Sequence, residues 1–127
     1  MAIAGKDGSV KIGANAVTKV SNWNLDIARD MLDDTSLGDD WRTFCAGLAG
    51  ATGSIETFWN VNADTTGQTL LQDANLNGTT VAVDLYPNAT NYYSSTVYVS
   101  NLNIGDPVDD LVTATFDCQV TGAVTYT

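Results

Sequence analysis

The sequence predicts a mainly β domain: an antiparallel β-sandwich or partial barrel with one short flanking α-helix and one long loop. Three observations carry this reading. Apolar residues recur with a period of two in segment after segment, as half-buried strands require. Thr, Val, Tyr and Trp crowd those segments, and pleated structure favours them. A single stretch switches to helical spacing. At 127 residues the chain reads as one domain, 1–127, long enough to bury roughly two thirds of its unfolded surface.

The elements follow in order. An opening strand is expected at SVKIG, with a turn near residues 13–15. In VTKVSNWNLDIA, Trp23, Leu25 and Ile27 share one side, with Asn24 and Asp26 on the other. In GSIETFWNV, Ile55, Thr57, Trp59 and Val61 line one face and Ser54, Glu56, Phe58 and Asn60 the opposite one. Residues 65–76 (TTGQTLLQDANL) place Leu70, Leu71 and Ala74 on a helical stripe. Thr65 with Gln68 forms a capping box there, and Asn77-Gly78 supplies the left-handed end. Gly67 weakens so short a helix by about 1 kcal/mol, so the helix needs a sheet to pack on. TTVAVDLY sets Val81, Val83 and Leu85 against Thr80, Ala82, Asp84 and Tyr86. STVYVSNLNI alternates less cleanly, which predicts a bulge. In DLVTATFDCQVT, Val112, Ala114, Phe116, Cys118 and Val120 oppose Thr113, Thr115, Asp117, Gln119 and Thr121.

One stretch resists any period. Residues 33–53 (DDTSLGDDWRTFCAGLAGATG) read as a long loop containing four glycines. A short helix over residues 40–48, capped by Asp39 or Asp40, is the alternative. Loops of this length in small domains are functional or disordered. Trp41, Phe44 and Leu48 argue against disorder and point to a partner surface.

Charge excludes several functions. Fifteen acids against five bases give −10. All five bases (Lys6, Lys11, Lys19, Arg29, Arg42) lie in the first 42 residues, and eight acids but no base follow. Such a surface repels phosphates, so nucleic-acid recognition is excluded. No apolar run approaches the roughly 18 residues of a membrane span. The start MAIAGKDGSVKIG shows no secretion signal, and synthesis in the cytosol is expected. Cys45 and Cys118 are then reduced, with Cys118 a small buried group inside a strand. The chain has no His, no glycine-rich phosphate loop and no nucleophile elbow. No catalytic residue, metal ligand or cofactor site is therefore assigned. The acid pairs Asp33-Asp34, Asp39-Asp40 and Asp109-Asp110 read as solvated turn acids rather than calcium ligands. Tyr86, Tyr92, Tyr93 and Tyr98 read as strand-end packing rather than a sugar platform.

The order of these features resembles the major tail tube protein of long-tailed phages with non-contractile tails. The resemblance spans nearly the whole chain. It rests on the Trp-x-Leu strand of VTKVSNWNLDIARDMLDDTSLGDDWRTFCAGL, the ATGSIE turn, QTLL in the helix, and the ending NIGDPVDDLVTATFDCQVTGAVTYT. It implies a structural, non-enzymatic subunit without cofactor. Six copies would close into a ring, and stacked rings would form the tube through which double-stranded DNA leaves the virion. Implied partners are the chain itself, a tape measure protein, a tail terminator and distal tail proteins, with no membrane. The implied location is the virion tail, assembled in the bacterial host cytoplasm.

On this resemblance the 33–53 loop stacks rings through Leu37, Trp41, Arg42, Phe44 and Leu48, and residues 2–7 and 123–127 are arms. The acidity also acquires a role. A lining of Lys and Arg would pair with phosphates and hold the DNA, whereas carboxylates, Thr, Asn and Gln let it slide. Alternation nominates Glu56, Asn60, Thr115, Asp117, Gln119 and Asp26 as lumen-facing, with Ile55, Trp59, Val112 and Phe116 in the core behind them. Two other readings stay open: the tube of a contractile injection or secretion system, and a β-sandwich adhesion or sugar-binding module.

Overall fold

Alternating side chains can bury one face of a strand only if neighbouring strands align their apolar sets, and the registers here do so. The computed structural model describes Gly5 and residues 8–127. Its elements are β1 (Ser9–Ile12), β2 (Asn15–Ala16), β3 (Val20–Asp33), β4 (Phe44–Phe58), α1 (Gln68–Asn77), β5 (Thr80–Tyr86), β6 (Tyr93–Gly105) and β7 (Thr113–Tyr126). All strands join one antiparallel sheet in the order β2-β1-β5-β6-β7-β4-β3. It is a single coiled sheet, a partial barrel that stops short of closure.

Cross-strand rows build the core. Leu102, Phe116, Ile55 and Trp23 stand opposite one another across β6, β7, β4 and β3. Val81, Val97 and Val120 form a parallel row. Phe116, Ile55 and Val97 are buried. The sheet coils enough for Leu25 and Ile55 to meet Val83 and Leu85 from β5, leaving a void of only about 10 Å³ between them. Helix α1 covers β5 and β6 with Leu71 and Ala74.

A buried polar hub fixes the entry to this helix. Gln68, fully buried, donates from Nε2 to the carbonyls of Thr18 (2.8 Å) and Phe58 (3.0 Å). Its Oε1 accepts the Asn60 N–H at 2.9 Å. The buried Asp64 carboxylate accepts the N–H groups of Thr18 (2.9 Å) and Gln68 (3.0 Å). A Cβ on Gly67 would lie 2.5 Å from that carboxylate, so the position requires glycine. The hub ties the start of β3, the end of β4 and the helix together.

Several expectations change. The helix runs Gln68–Asn77 rather than 65–76, with Gly67 at its N-cap and no side-chain cap. The Thr65–Gln68 capping box does not form, because Gln68 turns inward to satisfy buried carbonyls and Asp64 takes the helix N–H instead. Leu70 is consequently turned outward, half-exposed, while Leu71 is buried. Gly78 does end the helix at φ 68°, the left-handed cap expected. The bulge expected in STVYVSNLNI lies between Val99 and Asn101.

The 33–53 loop shrinks the most. Strand β3 extends to Asp33 and β4 begins at Phe44, so only residues 34–43 are irregular and no helix spans 40–48. The strand pattern was hidden because most of this ribbon is exposed on both faces, and selection for burial left no alternation to read.

Replacing Gln68 with Leu strands two carbonyls and one N–H, and a loss of about 3 kcal/mol is expected at roughly 1–3 kcal/mol per orphaned group. Replacing the exposed Asp73 should change stability by less than about 0.5 kcal/mol; urea unfolding of the two variants checks the contrast. Burial, aided by the Asp117 charge, pushes the Cys118 thiol up to about 12, whereas Cys45 is exposed. Alkylation of folded monomer at pH 8 should therefore mark Cys45 alone by mass spectrometry, and equal labelling of Cys118 would contradict its burial.

Candidate functional site

The registers that build the core also gather the polar residues on the opposite face. Asn103, Thr115, Glu56 and Asn22 stand in one row across β6, β7, β4 and β3. The next row holds Asn101, Asp117, Ser54 and Asn24, and a third holds Tyr98, Gln119, Thr52 and Asp26. Nearly every group here carries a hydroxyl, an amide or a carboxylate. Asn101 Nδ2 donates to the Asp117 carboxylate at 3.2 Å, and Gln119 Nε2 reaches the Ala51 carbonyl at 3.1 Å. Among the described residues of β3, β4, β6 and β7, no Lys or Arg shares this face. Lys11 joins the face farther along, opposite Asp84 and with its ammonium 4.7 Å from the Tyr86 ring centre.

Five of the six nominated polar residues are thus brought together: Asp26, Glu56, Thr115, Asp117 and Gln119. Asn60 is not among them. It lies beyond the end of β4, where its Nδ2 donates to Thr18 Oγ1 and its backbone serves the Gln68 hub. The strand stops at Phe58 because the hub bends the chain away toward the helix. Trp59, expected in the core, is likewise past the strand end and 39% exposed, while Ile55 and Phe116 are buried as expected.

Sequence reasoning missed Asn101 and Asn103. Their faces depend on the bulge near Ser100, whose position only the β7 register reveals. Asn22 and Asn24, flanking Trp23, were not nominated either, although alternation with Trp23 puts them on this face.

The second feature is the β3–β4 ribbon. Beyond Ile27 it projects from the sheet without a covering layer, and Ile27, Met31, Leu32, Phe44 and Leu48 are all exposed. Trp41 is 84% exposed and Leu37 fully so. The tip is nonetheless well bonded. The Asp33 carboxylate accepts Thr35 N–H at 2.9 Å, Asp39 accepts Ser36 N–H at 2.8 Å, and Thr43 N–H bonds Thr35 Oγ1 at 2.8 Å. Hydrogen bonding from Thr35, first side chain and then backbone, holds the Asp33 carboxyl below its ordinary range. Arg42 approaches Asp33 only loosely, at 3.8 Å. Leu37, Trp41, Arg42, Phe44 and Leu48 are thereby placed on one projecting element. Ile27, Met31 and Leu32 of β3 extend its apolar surface, and none of them was nominated from the sequence. The candidate N-terminal arm, residues 2–7, lies outside the described residues apart from Gly5. The 123–127 arm is largely the last part of β7, with Thr127 bonded to Tyr92.

No curated protein sequence matches the chain. Its fold is similar to the tail of an empty gene transfer agent particle refined with C6 symmetry, with a TM-score of 0.85 and 18% identity over 99% of both chains. It is also similar to the SPP1 tail tube, at 0.77 and 17% identity over 98% of this chain and 78% of that one. A chain of the anti-feeding prophage baseplate matches at 0.61 and 9% identity, over 94% and 90%. At these identities the likeness shows a shared fold. A protein-family model described as phage tail tube protein matches residues 4–126. The chain belongs to the phage tail tube protein family.

Proposed function

We propose that six copies of this chain close into a ring whose polar sheet faces line a channel, and that the rings stack through the β3–β4 ribbon into a tail tube conducting double-stranded DNA. The observation that carries the reading is the polar face itself. A monomer gains nothing from keeping cations off four adjacent strands, whereas a conduit for a polyanion does. Asp26, Glu56 and Asp117 repel phosphates, and Thr, Asn and Gln present groups too weakly binding to hold them.

The sheet edges fit the same reading. Among the described residues no strand pairs with the outer side of β3, an edge of 14 residues and an aggregation liability in a free monomer. Head-to-tail pairing of one copy's β3 edge with the opposite edge of the next would cover it and close a ring. The sixfold count follows the C6 symmetry of the gene transfer agent tail. On this reading the subunit is structural and has no reaction of its own. It meets a tape measure protein within the tube, and terminator and distal tail proteins at its ends.

A tube of a contractile injection system is the second reading, favoured only by the fold shared with the anti-feeding prophage baseplate chain. Cargo separates the two.

Electron microscopy of concentrated purified protein should show rings and tubes; single globules would exclude assembly. A density map of those tubes should place Glu56 and Asp117 on the inner wall, and finding them on the outer surface would sink the channel assignment. Particles carrying Glu56→Lys with Asp117→Lys should form normal tails but eject DNA more slowly. That deficit should shrink as salt rises from about 50 to 200 mM, since phosphate contacts weaken with salt. Trp41→Ala should leave monomer stability unchanged. It should raise the critical concentration for tubes about thirtyfold, from a loss of about 2 kcal/mol of apolar burial; unchanged tube formation would remove the ribbon from stacking.

A further inference from the structure

An axial stack needs two unlike surfaces on each copy, one at each end. The ribbon tip supplies one. Strand β4 starts at the tip with Phe44 and ends with Phe58 opposite Thr113, so the β6–β7 turn, residues 106–112, lies at the far end of the same strand. At about 3.3 Å per residue the two ends are roughly 45 Å apart.

That far end is also apolar where it meets solvent. Val108 is fully exposed, Leu111 is 60% exposed and Ile104 is 48% exposed. Single exposed apolar residues are ordinary, but three grouped at one end of a sheet form a patch. Asp106, Asp109 and Asp110 surround it. Lys19 flanks it: its carbonyl accepts the Phe58 N–H at 2.9 Å, and the next N–H along, from Trp59, bonds Val112 at 2.8 Å.

Charges complement in both directions. At the tip, Asp33, Asp34 and Asp39 are bonded to Thr35, Thr43 and Ser36 of the tip itself. Arg42, only loosely paired with Asp33 at 3.8 Å, keeps its side chain 79% exposed beside Trp41, and Asp40 precedes them. The far end offers acids for Arg42 and Lys19 for Asp40. Lys19 holds φ at 60°, the only non-glycine residue with positive φ among the described residues. Glycine would take that conformation more easily, so Lys19 carries a local backbone cost.

We infer that the seat of the ribbon tip is the β6–β7 turn of a second copy, with Leu37 and Trp41 against Val108 and Leu111, Arg42 against Asp109 and Asp110, and Asp40 toward Lys19. The inference rests on the stacked-tube reading above and names the partner surface that reading leaves open.

A charge swap in the full-length chain tests it. Arg42→Asp should raise the critical concentration for tubes about tenfold, equivalent to about 1.4 kcal/mol. Adding Asp109→Arg and Asp110→Arg should bring it back to within about threefold of the original. Lys19→Gly should raise the monomer melting temperature yet weaken stacking, a split that a purely structural role would not produce. As a measurement independent of charge, Leu37→Cys with Val108→Cys in a Cys45→Ser background should yield, on oxidation, covalent ladders longer than one ring. Tubes that tolerate Arg42→Asp, or the absence of ladders in assembled tubes, overturn the seat while leaving the tube reading intact. An unmodified chain that never forms tubes overturns both.

Discussion

A sheet of seven strands has two faces, and one helix of ten residues is too small to cover either. The molecule depends on how that shortfall is met. The sheet coils until its own apolar face becomes the core, with Leu25 and Ile55 against Val83 and Leu85, and the helix closes only the side over β5 and β6. Coiling brings the start of β3 and the end of β4 under the helix N-terminus, where backbone groups would be buried without partners. Gln68 and Asp64 satisfy them, which is why two polar side chains occupy places that apolar residues would otherwise fill. Without that hub the helix has little reason to dock, since neither its propensity nor its length would keep it formed alone.

The same coiling leaves the other face entirely to solvent, and its chemistry is free to serve something else. Register locks the two faces together: a slip of one residue would send Phe116 outward and Asp117 inward. Core packing therefore holds the polar rows in place at no further cost. In a family whose members build tail tubes, a face of hydroxyls, amides and spaced carboxylates suits a wall past which a polyanion must move without binding. Stability and the proposed conduction are two consequences of one alternation.

The ribbon obeys a different logic. Two isolated strands are marginal in water, and this pair carries Ala46, Gly47, Ala49 and Gly50 where a packed strand would carry larger groups. It persists because it continues strands anchored in the sheet and because its tip is closed by Asp33, Thr35, Asp39 and Thr43. Its large apolar residues stay half or more exposed. On the proposed stacking their destination is another copy, and the patch around Val108 and Leu111 at the opposite end is likewise exposed.

Where a strand buries one face in unbroken register, local order was enough to read which side chains point inward. Ile55 and Phe116 inward, Glu56 and Asp117 together on the other side, the bulge in β6 and the Gly78 cap all follow from period two and turn chemistry. The family resemblance carried by the Trp23 strand and the 103–127 ending pointed to the same fold. What sequence could not decide depended on groups distant along the chain. Gln68 looked like half of a capping box because the carbonyls it serves, on Thr18 and Phe58, come near only after folding. Asn60 looked like a continuation of β4 because the same hub ends the strand early. The ribbon looked like loop because strands that bury nothing keep no alternation. Period and turn preference are properties of neighbours in sequence, whereas register, strand ends and buried polar partners are properties of neighbours in space, and only the folded sheet brings those together.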